Sequence, residues 1–353
     1  MFNQFYLVII LGFLAVWFSS KSEKCQLSMR NRKIACIWLC ILFVIQAGFR
    51  DFEHQFSDTI NYANSYYALT NIQFSDIFDN FKLYSDQYTG RDPGYKIFVK
   101  ITQYIYPDFR FFLVLVATII SIPICRIFYK YCTSLPGILI AACLYEALFA
   151  GFFETGIRQT ISMGFTYMAL EAFQWRKYWL TLVLTFVAFT IHSTALIFVP
   201  VYFLVRLNNT KKLLITALLL APLFMINAKQ ILFLIGEGTI MSGYTSLMTQ
   251  DNTGTPIFST LVVLSVLITY KYSNTIKEIY KYFDLMFVVM ACAIMFVPTT
   301  WVNSNFLRIE LYFLVFLMPL LSVFIDVFSH KQLTLTTKYY FVITIMLGIL
   351  SYK

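Results

Sequence analysis

The sequence predicts an all-α, polytopic membrane protein with about twelve transmembrane helices, and three observations predict it. Hydrophobic residues make up 59% of the 353-residue chain and charged residues only 13%, about half the charged fraction of an ordinary soluble domain. Several apolar runs approach the ~17–25 residues that cross a bilayer as helix. The basic residues alternate between loops as topology anchors do: 17 of the 27 lie on one set of loops and adjoining helix ends, the pattern of cytoplasmic loops. The short alternating segments of a transmembrane barrel are not seen.

Taken in order, the apolar segments are 3–20, 34–49, 110–128, 136–153, 157–173, 178–191, 194–207, 213–228, 256–271, 282–299, 309–327 and 339–352. The first has no basic residue before it, and Lys21, Lys24, Arg30, Arg32 and Lys33 follow it. It reads as a retained helix with its N-terminus outside rather than a cleaved signal. The inner loops are then 21–33, 129–135, 174–177, 208–212, 272–281 and 328–338. The net charge of +9 belongs to these anchors. No basic cluster sits on a soluble segment large enough to form a nucleic-acid-binding domain, so no nucleic-acid partner is expected. None of the seven cysteines falls in an outer loop, so no structural disulfide is expected.

The chain 1–353 reads as one polytopic membrane domain with two long outer segments, 50–110 and 229–255. The first carries eight acids against six bases and is too long for a simple connection. Within it, Phe74, Ile77, Phe78 and Phe81 follow amphipathic-helix spacing. "RDPGYKIFVKITQYIY" opens a second helix, with Asp92 at the N-cap and Pro93 in the first turn. Its expected apolar face is Tyr95, Phe98, Ile101 and Ile105. Lys96 and Lys100 suit a helix lying along the membrane surface. The second outer segment carries no catalytic signature.

Polar residues recur where helices meet the outer face. Arg50 ends the second segment. Asp58, Tyr62 and Tyr66 follow at i, i+4, i+8, one face of a helix. "FFETGIRQTISMGF" places Glu154, Arg158 and Gln159 between the fourth and fifth segments, "FTIHSTALIF" places His192 between the sixth and seventh, and "NSNFLRIELYF" places Arg308 and Glu310 at the start of the eleventh. These clusters are expected to converge on one extracytoplasmic cavity. Only 28 residues, mostly apolar, separate Lys177 from Arg206. One helix of that length would be about 42 Å long against a ~30 Å core. Two short helices fit better, with His192 in a turn below the outer surface. Arg158 stands at similar depth, where a charge costs at least ~2.5–3.5 kcal/mol and usually faces a wet cavity or a partner. Simpler roles stay open. Arg50 and Arg308 can reach headgroups, Arg158 can pair with Glu154 at i, i+4, His192 can cap a helix, and the tyrosines can form an interfacial belt. No zinc-type Cys/His spacing, Walker loop or Gly-x-Ser-x-Gly elbow occurs, and no Asp-x-Asp. No metal site and no cofactor are expected.

At these residues the chain resembles the EpsG/Wzy group of polysaccharide polymerases. The resemblance is carried by "GFR" (48–50) with Asp58, Thr59 and Tyr62, by "DPGY" (92–95), "IRQTIS" (157–162), "HSTALIF" (192–198) and "LRIELYF" (307–313), over most of residues 40–330. It implies a GT-C-like helical bundle in the bacterial cytoplasmic membrane with its active site facing outward. The implied activity is a metal-independent glycosyltransferase that joins oligosaccharide repeat units carried on undecaprenyl pyrophosphate into O-antigen, capsule or exopolysaccharide. Donor and acceptor are both lipid-linked glycans, membrane lipid surrounds them, and a chain-length regulator is a further partner the resemblance admits. Arginines stabilise a leaving pyrophosphate through forked, permanently charged hydrogen bonds, so Arg158 is the first candidate, with Arg50 and Arg308 behind it. His192, Asp58 and Glu154 are candidate bases for the acceptor hydroxyl. Tyr62, Tyr95 and Gln159 are candidate sugar contacts. A lipid-linked oligosaccharide flippase, a polysaccharide ligase and a multipass acyltransferase are the competing classes.

Overall fold

The computed structural model describes residues 10, 11, 14, 27–51, 58–74, 76, 92–207, 209–227, 230, 256–280, 283–297, 299–302 and 307–329. These residues are mostly helical, and none of them forms a strand. Most of the expected first span, the whole of the last, most of the amphipathic stretch begun by Phe74, and nearly all of 229–255 lie outside them.

Three described helices are long and apolar enough to cross a bilayer: α1 (Met29–Gly48), α4 (Phe109–Tyr131) and the stretch Phe283–Trp301. A fourth span is formed if α15 (Leu307–Leu314) and α16 (Leu317–Ser329), bent by 47° at their junction, count as one. Further apolar helices are shorter: α5 (Leu135–Leu148), α8 (Tyr178–Ile191) and the stretches Ser193–Leu204 and Thr260–Lys271.

The chain divides into two compact units. The first holds Trp38–Ile124 and Gly151–Val199, and the second holds mainly Phe2–Ile37, Cys125–Ala150 and Pro200–Lys353.

The first unit is built on a core of Tyr66, Tyr95, Val99, Phe109, Phe112, Leu113, Val116, Ile157, Ile161 and Ile191. These come from α2 (Asp58–Ala68), α3 (Pro93–Ile105), α4, α7 (Ile157–Gln174) and α8. The predicted apolar face of α3 is split. Tyr95 is buried and Phe98 packs on the core, while Ile101 and Ile105 are exposed. The reason lies in two polar residues on the inner side. Lys100 Nζ donates to Thr70 O (3.0 Å) and Gln103 Nε2 donates to Tyr66 O (2.6 Å). Unmade hydrogen bonds of buried groups are costly, so these ties to the end of α2 set the roll of α3.

Helices α7 and α8 run antiparallel. Their turn is closed at Arg176, which adopts a left-handed conformation (φ 60°). Lys177 N donates to Ala172 O and Arg176 N to Phe173 O, the paired bonds of a Schellman stop. Ser162 Oγ on α7 donates to Ala188 O on α8 (2.9 Å). A Cβ on Gly164 would stand 2.6 Å from Ile119 O of α4, so only glycine permits that crossing. The pair thus delivers the start of α7 and the end of α8 to one place.

In the second unit α5 packs on α16, and α13 (Phe283–Phe296) packs on α10 (Thr210–Ile226) and α15. Ser134 caps α5 by accepting from Gly137 N (3.0 Å), and Ser322 Oγ of α16 donates to Gly137 O.

Candidate functional site

The sharpest local feature of the first unit is the turn that opens α3. Asp92 is held in the left-handed region (φ 55°, ψ 62°), which costs a non-glycine residue roughly 1–2 kcal/mol. Pro93 follows at the first helical turn, where its missing N–H is no loss. Gly94 is pressed against α8: a Cβ there would meet Thr190 Oγ1 at 2.4 Å and the Thr190 carbonyl carbon at 2.7 Å. The expected N-cap role of Asp92 is not what its side chain does. It makes no capping hydrogen bond. Instead the carboxylate leaves its own helix for two residues far along the chain.

Asp92 Oδ2 accepts from Arg158 Nη1 at 2.9 Å and lies 3.4 Å from His192 Nδ1. The Asp92 side chain is 9% exposed, His192 16% and Arg158 37%, so the guanidinium keeps an open side. Arg158 is the second residue of α7 and His192 directly follows α8. The tyrosine rings of Tyr62 and Tyr95 each lie 5.9 Å from the guanidinium carbon and meet each other edge to face at 6.1 Å. Half-buried Lys96 stands one turn along α3. Burial, and then the charge of Arg158, push its ammonium below the ordinary lysine value, and it has no carboxylate partner among the described residues. The Tyr95 phenol is pushed up, by burial first and then by Tyr62, so it stays a neutral hydroxyl.

One guanidinium therefore meets one carboxylate, beside an imidazole and two aromatic faces. Such a site attracts an anion, can fork hydrogen bonds to it, can take up a proton, and can stack a sugar ring.

The expected site residues divide as follows. Arg158, His192, Tyr62 and Tyr95 come together. Glu154 is not the ion partner of Arg158; Asp92 is. The i, i+4 relationship fails because the helix breaks between them: α6 (Ala150–Thr155) ends, and Gly156 (φ −92°, ψ 54°) starts α7 anew. The Glu154 carbonyl instead accepts from Arg50 Nη2 (2.8 Å) and Thr59 Oγ1 (3.3 Å). Arg50 also donates to Ala47 O, and its own carbonyl accepts from Arg110. Arg50 thus ties the end of α1 to α6 through backbone oxygens. Asp58 is exposed in the first turn of α2, and Tyr66, expected on its face, is 1% exposed in the core. Gln159 is buried and contacts Met163 Sδ at 3.8 Å. Arg308 belongs to the second unit, on α15. Sequence reasoning missed Asp92 as an ion partner. The signal for Asp92 was the Asp-Pro-Gly turn itself, read there as a helix start.

No curated protein and no solved structure matches the chain. A family model described as EpsG family matches residues 36–353, a span that includes every residue of the cluster, and the chain belongs to the EpsG family, a Wzy-type polymerase family.

Proposed function

We propose that the protein is a membrane glycosyltransferase that polymerises polyprenyl-pyrophosphate-linked oligosaccharide repeat units on the extracytoplasmic face of the bacterial cytoplasmic membrane. The chain is a single polytopic domain of about twelve spans in a GT-C-like bundle, with 50–110 and 229–255 outside. The observation that carries the reading is Arg158, packed against the edge-to-face pair of Tyr62 and Tyr95 and paired with Asp92, whose carboxylate also faces His192.

The chemistry follows from those groups. The donor is the growing glycan on its lipid pyrophosphate, and the acceptor is a sugar hydroxyl of a new lipid-linked repeat. His192 takes the hydroxyl proton. The acceptor oxygen forms a bond to the donor's anomeric carbon, the bond from that carbon to the pyrophosphate oxygen breaks, and its electron pair leaves on the lipid pyrophosphate. Negative charge on that oxygen grows in the transition state, where Arg158 and Lys96 stabilise it. Removing one preorganised donor of this kind costs about 10²–10³ in rate. Tyr62 and Tyr95 supply stacking faces for the sugars next to the bond. Arg50 and Glu154 act through the backbone joint, and Asp58, Gln159 and Arg308 serve the glycan or headgroups away from the bond.

The test is the length of lipid-linked and surface glycan in a strain lacking this protein. A polymerase defect leaves single repeats at the surface. A flippase defect would hold repeats on the inner leaflet, and an acyltransferase defect would leave polymer at full length; either result overturns the proposal.

A further inference from the structure

Helix α3 is inside out for a helix that meets water. Its polar residues face the protein. Lys100 Nζ donates to Thr70 O, Gln103 Nε2 to Tyr66 O and Thr102 Oγ1 to Phe98 O, and all three residues are buried. The side turned outward is formed by Ile101, Tyr104 and Ile105 at i, i+3, i+4, and it carries no charge. Tyr104 is 72% exposed and Ile105 65%, and Tyr106, just past the helix end, is exposed as well. Tyr104 lies flat on Phe74 (5.6 Å, 12°). The neighbouring α2 is built the other way. Along with Tyr67 it exposes Asp58, Asn61, Asn64 and Ser65.

Packing fixes where α3 lies. The rings of Tyr95 and Phe98 stand 6.3 and 6.0 Å from that of Phe112, in the first turn of α4. That helix is apolar enough to span a bilayer. Its 23 residues rise about 35 Å, slightly more than a ~30 Å core. Phe112 therefore stands near the edge of the core, and α3 stands beside it. At about 20 Å α3 is too short to cross. Its exposed face also continues onto a span. Tyr106 meets Phe111 edge to face (5.6 Å, 75°), and Phe111 heads the outward side of α4 that passes through Leu115 to exposed Ile122. At its other end, Gly94 is seated on Thr190 of α8. The outward side of α8 is the exposed apolar stripe Trp179, Leu182, Val183 and Phe186.

We propose that α3 is seated in one leaflet of the bilayer, with Ile101, Tyr104, Ile105 and Tyr106 in contact with phospholipid rather than water. An ordinary interfacial helix keeps a charged or polar face for water. The polar residues of α3 are bonded within the protein instead, so their side needs no water. Tyrosines suit the boundary because the ring is apolar and the hydroxyl is not. Sequence spacing alone offers both Lys96 and Lys100 to the headgroups, whereas the fold turns Lys100 inward. The leaflet is the outer one on the topology that the basic residues predict. The consequence concerns the candidate site. Helix α3 begins at the Asp92 turn, so the cluster of Asp92, Arg158 and His192 opens beside the lipid surface, at the level where a lipid-linked pyrophosphate carries its charge. That consequence rests on the proposed function; the lipid contact holds whichever reaction the cluster performs.

The test uses the purified full chain in phospholipid nanodiscs. Nitroxide labels are placed on Ile101→Cys, Ile105→Cys and Asn64→Cys, each in a cysteine-free background. All three positions are exposed, so the labels disturb no packing. Collision of each label is measured with molecular oxygen, which concentrates in lipid, and with a nickel chelate that stays in water. Oxygen collisions are expected to dominate at Ile101→Cys and Ile105→Cys, and nickel collisions at Asn64→Cys. Dominant nickel collisions at either face position, in protein that elutes as wild type does, would place the face in water and overturn the proposal. Few collisions with both probes would mean that protein covers the face, a second copy of the chain included, and would overturn it too. Undecaprenyl phosphate is then added to the nanodiscs. Unchanged oxygen collisions are expected. A fall at the face positions would make the face a site for that one tail, and the general lipid contact would be wrong. No glycan is measured, so failure here leaves the polymerase reading to its own test.

Discussion

A Cβ placed on Gly94 would stand 2.4 Å from Thr190 Oγ1 and 2.7 Å from the Thr190 carbonyl carbon. Real Cβ atoms do not approach a backbone so closely, so the Asp92–Gly94 turn sits against α8 only because residue 94 has no side chain. Gly94→Ala must move the turn outward, and Asp92 moves with it, away from Arg158 and His192. Misplacing a reacting constellation by about 1 Å costs on the order of 10²-fold. The expected outcome is protein that inserts and accumulates but gives glycan of one or a few repeats. Chain length equal to wild type would show that the placement of the turn does not matter to the reaction.

Lys96 should impose an alkaline limit on anion binding. Burial and the neighbouring Arg158 hold its ammonium below the ordinary value of 10.5. A bound pyrophosphate favours the charged form. Probe affinity is therefore full below that lowered value and is lost as pH rises through it. The other groups facing the site are Arg158, Asp92, His192, Tyr62 and Tyr95. Tyr95 does not contribute in this window, since burial and then Tyr62 push its phenol up. Titrating undecaprenyl pyrophosphate binding against pH should show the decline earlier in wild type than in Lys96→Arg, whose guanidinium stays charged. Lys96→Gln should bind more weakly at neutral pH and lack that decline. Identical profiles for wild type and Lys96→Gln would remove Lys96 from the site.

Arg158 and His192 were legible in the sequence because polar side chains amid apolar runs demand a reason, and Tyr62 because helical spacing carries it inward from Asp58. Asp92 was not legible in its role. Its partner lies 66 residues away, and no local pattern encodes a contact at that distance; Asp-Pro at a helix start signals a cap with equal force. Glu154 misled for the opposite reason. Its spacing from Arg158 suits a continuous helix, but the Gly156 break changes the relation of the two side chains. Lys96 looked like a surface cation because periodicity gives a helix face and not what packs against it. The all-helical class followed directly from composition. The seventh apolar segment shows why span counts do not: it begins as a 3-10 stretch, Ser193–Phe198, and continues as the short helix α9 (Val199–Leu204), which hydropathy cannot distinguish from one regular span.

Sidedness is tested by single cysteines in a cysteine-free background. Asn64 on α2 and Asn274 on α12 (Ser273–Ile279) are both exposed. The distribution of basic residues predicts the first outside and the second inside. Asn64→Cys should react with a membrane-impermeant thiol reagent in intact spheroplasts, and Asn274→Cys only after the membrane is opened. The reverse pattern would invert the topology and put the Asp92–Arg158–His192 cluster on the cytoplasmic face.

The Asp92–Arg158 pair also allows a direct decision between chemistry and architecture. If Arg158 serves only to neutralise the buried carboxylate, removing the arginine harms the protein by leaving that charge unpaired, a cost of several kcal/mol. Removing both partners should then restore function, because no unpaired charge remains. If the guanidinium stabilises the leaving pyrophosphate, the double change cannot help. Arg158→Ala alone should lower the rate by roughly 10²–10³ and leave single repeats at normal protein level. Arg158→Lys, which keeps the charge and loses the fork, should be partly active at most. Asp92→Ala/Arg158→Ala should accumulate at least as well as Arg158→Ala and still make no polymer. Long chains from that double variant would reduce Arg158 to a structural counter-ion.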